Sequence, residues 1–152
     1  MLTGRAWAFA DGLAAHDVLP ARAAGLPPVD AAKHLFGDLD PTFASRLVPG
    51  DVLVAGQQLG RGPGGAPAAQ ALAAAGFVAV VAGSFADTFA DDVLAAGLAP
   101  LEVDAPNVFH TGQLMRMKIE GGTIANLSSG DRQPIRNLTE LLLAALRDRL
   151  GE

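Results

Sequence analysis

The hydrophobic pattern changes character twice along the chain. Arg5-Ala6-Trp7-Ala8-Phe9 puts Trp7 and Phe9 on one side of an extended segment, which predicts a first strand ending at Asp11-Gly12. Residues Ala14 to Pro49 hold five prolines, so this stretch reads as a loop-rich excursion with one or two short helices, one beginning near Asp30 and stopping at Gly37. After the Pro49-Gly50-Asp51 turn the pattern becomes regular. Val52-Leu53-Val54-Ala55 is a short apolar run suited to a strand buried on both faces. A glycine-rich loop spans Gly56 to Gly65, and Ala66 to Ala75 reads as a helix with Pro67 in its first turn and Gly76 past its end. Phe77 to Ala82 is a second strand, Ala86 to Ala96 a helix stopped by Gly97, and Leu98 to Val103 a third strand. Such alternation predicts parallel strands joined by right-handed crossovers, with helices covering a sheet face.

The tail follows a different period. Gln113 to Glu120 alternates apolar and polar, Gly121-Gly122 makes a turn, and Thr123 to Leu127 returns, which predicts an antiparallel hairpin with one wet face. Met115, Met117 and Ile119 form its buried stripe, a core feature rather than a cofactor slot. Asn137-Leu138-Thr139-Glu140 resembles a capping box, and Leu141, Leu142, Ala145, Leu146 and Leu150 follow at helical spacing.

Composition narrows the chemistry. The 152 residues suit a single domain spanning 1–152, and a hydrophobic half is enough for one core. With no cysteine, the chain offers no thiolate nucleophile, no disulfide and no thiolate ligand to zinc or an iron–sulfur cluster. A net charge of −5 without a Lys/Arg cluster in sequence argues against nucleic-acid or anionic-membrane partners. No apolar run reaches the roughly 18 residues of a spanning helix. The first residues lack a signal peptide's apolar region, so the expected compartment is the cytoplasm. His34 and His110 have no ligand partners at metal spacing, and no metal site is expected.

Gly60-Arg61-Gly62-Pro63-Gly64-Gly65 matches Gly-x-Gly-x-x-Gly between a strand and a helix, with Asp87 further on. The dinucleotide reading is weakened because four residues separate the strand from the first glycine, Asp87 lies beyond the second strand, and Pro63 lacks an amide. No Gly-Lys-Ser/Thr follows, so the loop is not a Walker A motif. Two readings stay open. Gly60, Arg61, Gly62, Gly64 and Gly65 could hold a small anion on helix N-terminal amides with Arg61 as a bidentate partner, or the glycines could serve tight backbone geometry alone.

Beyond these readings, one set of residues resembles a known family. Gly4 to Asp11, Val18-Leu19-Pro20, Gly50 to Gly56, Gly60-Arg61-Gly62, Ala75 to Ala82, Ser84-Phe85-Ala86, Phe89 and Gly97 to Leu101 are similar, collinearly, to the small subunit of 3-isopropylmalate dehydratase, the swivelling domain of the aconitase superfamily. The resemblance implies an α/β fold, a three-layer β/β/α swivelling domain with a late antiparallel hairpin and a C-terminal helix. It also implies a lyase role in leucine biosynthesis.

The chemistry-bearing positions depart from that pattern. Relatives read Gly-Cys-Gly-Ser-Ser-Arg at Gly60 to Gly65, a serine acting as base and the arginine gripping a substrate carboxylate; this chain has Pro63, Gly64 and Gly65 there. The family's Asp-Thr-Asp becomes Ala14-Ala15-His16, and its Tyr-Leu-Arg becomes Ala23-Ala24-Gly25. Arginine and arginine–asparagine positions become Asp87 and Asp91-Asp92. Neither proline nor glycine supplies a hydroxyl base. Each cation-to-aspartate exchange near a dicarboxylate costs about 1–4 kcal/mol depending on exposure. The family reaction at this site is therefore expected to be lost, leaving His16 and Arg61 as candidates for a rebuilt catalytic site, while the three aspartates read as charges favourable to a helix start. The resemblance implies an aconitase-like large subunit as partner, which alone would carry an iron–sulfur cluster. A homo-oligomer, and a small carboxylate or other anion bound by a stand-alone module, are the alternatives.

Overall fold

The structure is a computed structural model that describes residues 2–150. Seven strands form one mixed, curled sheet in the order β4-β3-β2-β1-β5-β6-β7. Its parallel part is β1 (Leu2–Ala8), β2 (Val52–Ala55), β3 (Ala79–Ala82) and β4 (Ala99–Glu102). The antiparallel part is β5 (Leu114–Lys118), β6 (Thr123–Asn126) and β7 (Arg132–Pro134). Strand β1 belongs to both. Its Leu2 to Arg5 pair antiparallel with Met117 to Leu114, and its Ala6 to Ala8 pair parallel with Val52 to Val54.

This change of partner sorts the core into two clusters. Trp7, Leu53, Ala55, Val80 and Ala82 point to the face covered by α3 (Gly65–Ala74) and α4 (Phe89–Ala95) and by the excursion between β1 and β2. Ala6, Val52, Val54, Ala79, Val81 and Leu101 point to the other face, which the hairpin residues Met115, Met117 and Ile124 and the C-terminal helix cover. The parallel strands are thus buried on both sides, and the layers run β/β/α.

Several expected boundaries move for physical reasons. β1 starts earlier than the Trp7/Phe9 alternation predicts because its first half pairs with β5; Phe9 lies beyond it, its N–H held by Val54 O at 2.8 Å. The helix expected from Asp30 to Gly37 is α2 (Pro28–Ala31), which continues as one 3₁₀ turn to His34. Phe36 then takes φ +54, gives its N–H to Val18 O and stacks fully buried on Phe9 at 4.4 Å, so the helix cannot run on. Before it, α1 (Ala15–Val18) is a single turn. The helix expected from Ala86 begins at Phe89, because Ala86 N–H bonds Leu59 O and Asp87 sits at φ +49. β7 was not expected: it is three residues ending in Pro134, an edge position where a missing N–H is tolerated.

The C-terminal helix α5 (Glu140–Leu150) begins differently from the capping box expected at Asn137. Thr139 Oγ1 accepts the Leu142 N–H, while the Asn137 amide takes Glu102 N–H and donates to Pro100 O, extending the β4 edge. Leu141, expected on the apolar face, is 85 % exposed; Leu142, Leu143 and Leu146 pack inward instead. The Leu150 side chain lies outside the described residues. No helix among the described residues is long and apolar enough to cross a membrane.

Asp51, only 3 % exposed, stands at the point where β1 changes partners. Its Oδ2 accepts Trp7 Nε1–H at 2.7 Å, Val48 N–H at 2.9 Å and Arg5 Nη2–H at 3.2 Å. Asp51→Ala leaves a buried indole N–H unpartnered and removes the carboxylate from a half-buried guanidinium that keeps only the Arg46 carbonyl, with an expected loss of about 2–4 kcal/mol. Asp51→Asn keeps an acceptor and loses about 1 kcal/mol. Urea unfolding of the two variants checks both values.

Helix α5 is tied to the hairpin by Arg147, which grips the Glu120 carboxylate through both Nε and Nη2. That hydrogen bond, assisted by the charge of Arg147, holds the Glu120 pKa below its ordinary 4.5. A depressed carboxyl pKa contributes stability that is present above 4.5 and lost as pH falls through the folded value. The thermal midpoint of the wild type is therefore expected to exceed that of Glu120→Gln at neutral pH and to converge with it on acidification, in a melting series from pH 7 to pH 3.

Candidate functional site

The C-terminal ends of the parallel strands gather the loops that follow them, the place where open α/β sheets build their clefts. The loop after β1 meets the loop after β2 along a run of backbone bonds. Gly12 N–H bonds Gln57 O at 2.8 Å, Gly60 N–H bonds Leu13 O at 2.8 Å, and Ala15 N–H bonds Arg61 O at 2.9 Å. Asp11 Oδ1 accepts Gln57 N–H at 2.7 Å and fills the space a side chain at Gly56 would need. The loop after β3 closes the other side: Leu59 N–H bonds Ser84 O, and Ser84 Oγ accepts Gln58 N–H at 2.8 Å.

The glycines of this loop answer to two demands. Gly60 lies at φ +85 with the Phe89 ring 2.2 Å from where a Cβ would stand, so it permits a close approach as well as a left-handed turn. Gly62 and Gly64 lie at φ +82 and +94 in open space and serve the turn alone. Gly64 is the N-cap of α3.

The segment carrying His16 is brought beside Arg61, since Ala14 and Arg61 form a β-bridge. The His16 imidazole is 61 % exposed with Asp17 as its charged neighbour at 3.8 Å. Arg61 gives its Nε–H to Gly12 O at 3.0 Å. Of the amides expected to face an anion, that of Gly60 is held by Leu13 O and that of Gly62 donates to Asp87 Oδ2 at 3.0 Å. Asp92 reaches from α4 so that its Oδ2 lies 2.5 Å from the Cβ position of Gly65, at the N-terminus of α3. Two carboxylates of the chain itself thus occupy the positive side of the loop, where free amides and the helix dipole favour negative charge. Asp87 was expected at a helix start; the structure puts it before α4, holding the loop.

On the opposite side of the same strand ends lies a cleft of about 550 Å³, whose walls include Phe9, Asp11, Gln57, Asp104, Phe109 and His110. Arg136 spans its edge, bonding Asp104 Oδ1 at 2.7 Å and also the Gly83 carbonyl. Asp11, Gln57, Ser84 and Arg136 were not singled out as site residues. For the first three, position immediately after a parallel strand was the available signal; Arg136 comes from the tail and carried none. Among the described residues no group of three or more His, Cys, Asp or Glu side chains is placed to hold a metal ion.

The comparisons with known proteins fit this architecture. The family model for the aconitase C-terminal domain matches residues 42–106. The 3-isopropylmalate dehydratase small subunit of Nautilia profundicola is 36 % identical over 149 residues, covering 95 % of this chain and 90 % of the relative. The chain belongs to the 3-isopropylmalate dehydratase small-subunit family. Small subunit 1 of Methanopyrus kandleri is 33 % identical over 96 % of this chain and 87 % of its own. The methanogen homoaconitase small subunit of Methanothermobacter thermautotrophicus is 31 % identical over 97 % of this chain and 86 % of its own. The crystal structure of 3-isopropylmalate dehydratase (LeuD) from Methanocaldococcus jannaschii superposes with a TM-score of 0.87, at 24 % identity, over 99 % of this chain and 95 % of that one. The fold is the α/β swivelling domain of that family.

Gly60→Ala is expected to cost about 2–4 kcal/mol, combining overpacking against Phe89 with a left-handed backbone. Gly62→Ala meets only the backbone demand and is expected to cost about 1 kcal/mol. Chemical denaturation of the two variants side by side separates close approach from turn geometry.

Proposed function

We propose that this chain acts as the small, swivelling subunit of a two-chain aconitase-type hydro-lyase of the 3-isopropylmalate dehydratase kind, and that it contributes shape and docking rather than acid–base groups. Family membership supports the subunit role. The observation that carries the second half is the loop itself: it is fully built, yet Asp87 and Asp92 sit where a substrate carboxylate would need cations. Pro63, Gly64 and Gly65 offer neither hydroxyl nor guanidinium. The one arginine of the loop spends its Nε–H on Gly12 O.

The iron–sulfur cluster of such an assembly would belong to the large subunit. This chain's donors do not fit a cluster, since it contains no cysteine. Stand-alone anion binding at the loop has weaker support, because an external anion would compete with the Asp87 carboxylate for the Gly62 amide and would face the charge of Asp92. The Asp87 carboxylate is favoured there by its effective concentration.

Affinity purification of the tagged chain from its native host tests the subunit role. Co-elution of one aconitase-type large chain is the expected result; a discrete homo-oligomer that retains no such chain overturns it. With that complex, dehydration of 3-isopropylmalate-class substrates is expected about 10²–10⁴-fold below that of an assembly with an intact serine base, the usual contribution of a positioned general base. Full turnover that Arg61→Ala or His16→Ala abolishes would overturn the non-catalytic reading and establish a rebuilt site.

A further inference from the structure

We infer a second, unrelated site: the outer face of the β5–β6–β7 sheet is a binding site for a small, multiply charged tetrahedral oxyanion of the phosphate class. Most of the described cations are already partnered. Arg5, Arg22, Lys33, Arg46, Arg136 and Arg147 each have a carboxylate within 4.0 Å. Arg61 bonds a carbonyl. The remaining cations with described side chains are Arg116, Lys118 and Arg132, and among the described residues none of them has a carboxylate partner. In a chain of net charge −5 these three stand together on one face.

The register puts them there. Arg116 pairs with Ala125 and Ala125 with Arg132, so the two guanidiniums flank one methyl group. Lys118 pairs with Thr123 on the same face, since Met115 and Met117 alternate to the core. The neighbours on that face are Thr3 and Arg5 of β1, Leu114, Leu127 and Pro134, and none is acidic. Ala125 and Thr123 floor a groove of about 60 Å³ walled by Arg116, Lys118, Arg132 and Leu127, room for one small oxyanion.

Arg116 adds an independent observation: its Nε is shut off from solvent and has no hydrogen-bond partner. A buried unpaired donor on a charged group is a costly state that a bound acceptor relieves. Two planar forks, an ammonium and a hydroxyl offer more donors than the two oxygens of one carboxylate can accept, and arginine forks match tetrahedral oxyanions bidentately. The geometry therefore favours a phosphate-class ligand over a single carboxylate. This site is separate from the glycine-rich loop and does not depend on the subunit role proposed above.

Inorganic phosphate titrated into the full chain, at ionic strength held constant with chloride, is the probe, read by NMR at the Arg116 and Arg132 Nε–Hε resonances and the Ala125 amide. The expected result is a saturable shift. Arg116→Gln and Lys118→Gln are each expected to weaken it at least tenfold, and Arg22→Gln, which removes an arginine paired with Asp38, to leave it unchanged. A non-saturating shift, an equal shift with chloride, or an unaltered affinity in both Arg116→Gln and Lys118→Gln would overturn the assignment as an adventitious ion only. Saturation by a tetraglutamate peptide with none by phosphate would also overturn it, pointing to an acidic protein segment instead.

Discussion

Strand β1 pairs antiparallel with β5 along one edge and parallel with β2 along the other, with the two pairings offset along its seven residues, and the rest of the architecture depends on that offset. Its first half is antiparallel to β5 and its second half parallel to β2, so the sheet must split and curl at the crossover. The backbones crowd there: a Cβ on Gly4 would stand 2.0 Å from Gly50 O. Asp51 stabilises the same point by accepting from Trp7, Val48 and Arg5 at once, converting a polar turn into a buried anchor. Because the split gives the parallel strands a second apolar face, the hairpin and α5 have something to cover, and the β/β/α layering follows.

That dependence explains which elements could be read from the chain alone. The β2–α3–β3–α4–β4 alternation and the Met115/Met117 hairpin have strong local periods, and both appear within a few residues of their expected bounds. What could not be read is set by distant contacts. Phe36 ends its helix because the Phe9 ring and the Val18 carbonyl recruit it, and neither is near it in sequence. Asn137 looks like a helix cap, but the unpaired edge of β4 offers its amide both a donor and an acceptor, and that pairing is taken. Leu141 sits at helical spacing yet faces out, because α5 meets the hairpin through Leu142 and Leu146.

The candidate site divides in the same way. That Gly60 to Gly65 lie between a strand and a helix was legible, and so was the absence of a hydroxyl side chain there. The role of Asp87 was not: as a helix-start charge it would be ordinary, whereas at φ +49 with its carboxylate on Gly62 N–H it is a loop clamp. A non-glycine residue in that conformation costs of order 1–3 kcal/mol and persists only when its surroundings over-determine it. Here the surroundings are the Leu59–Phe85 bridge and the Ala86 N–H bond to Leu59 O, which fix the backbone on its N-terminal side.

These contacts bear on why the loop keeps its shape. In a working site the amides and the helix dipole would be satisfied in part by substrate, and an empty loop would carry unpaired donors. Asp87 and Asp92 provide negative charge from within the chain on the side of the loop where its amides and the helix dipole favour it. Arg116, Lys118 and Arg132, without carboxylate partners among the described residues, lie on β5 and β7, so the basic groove and the acidic loop occupy separate parts of the sheet.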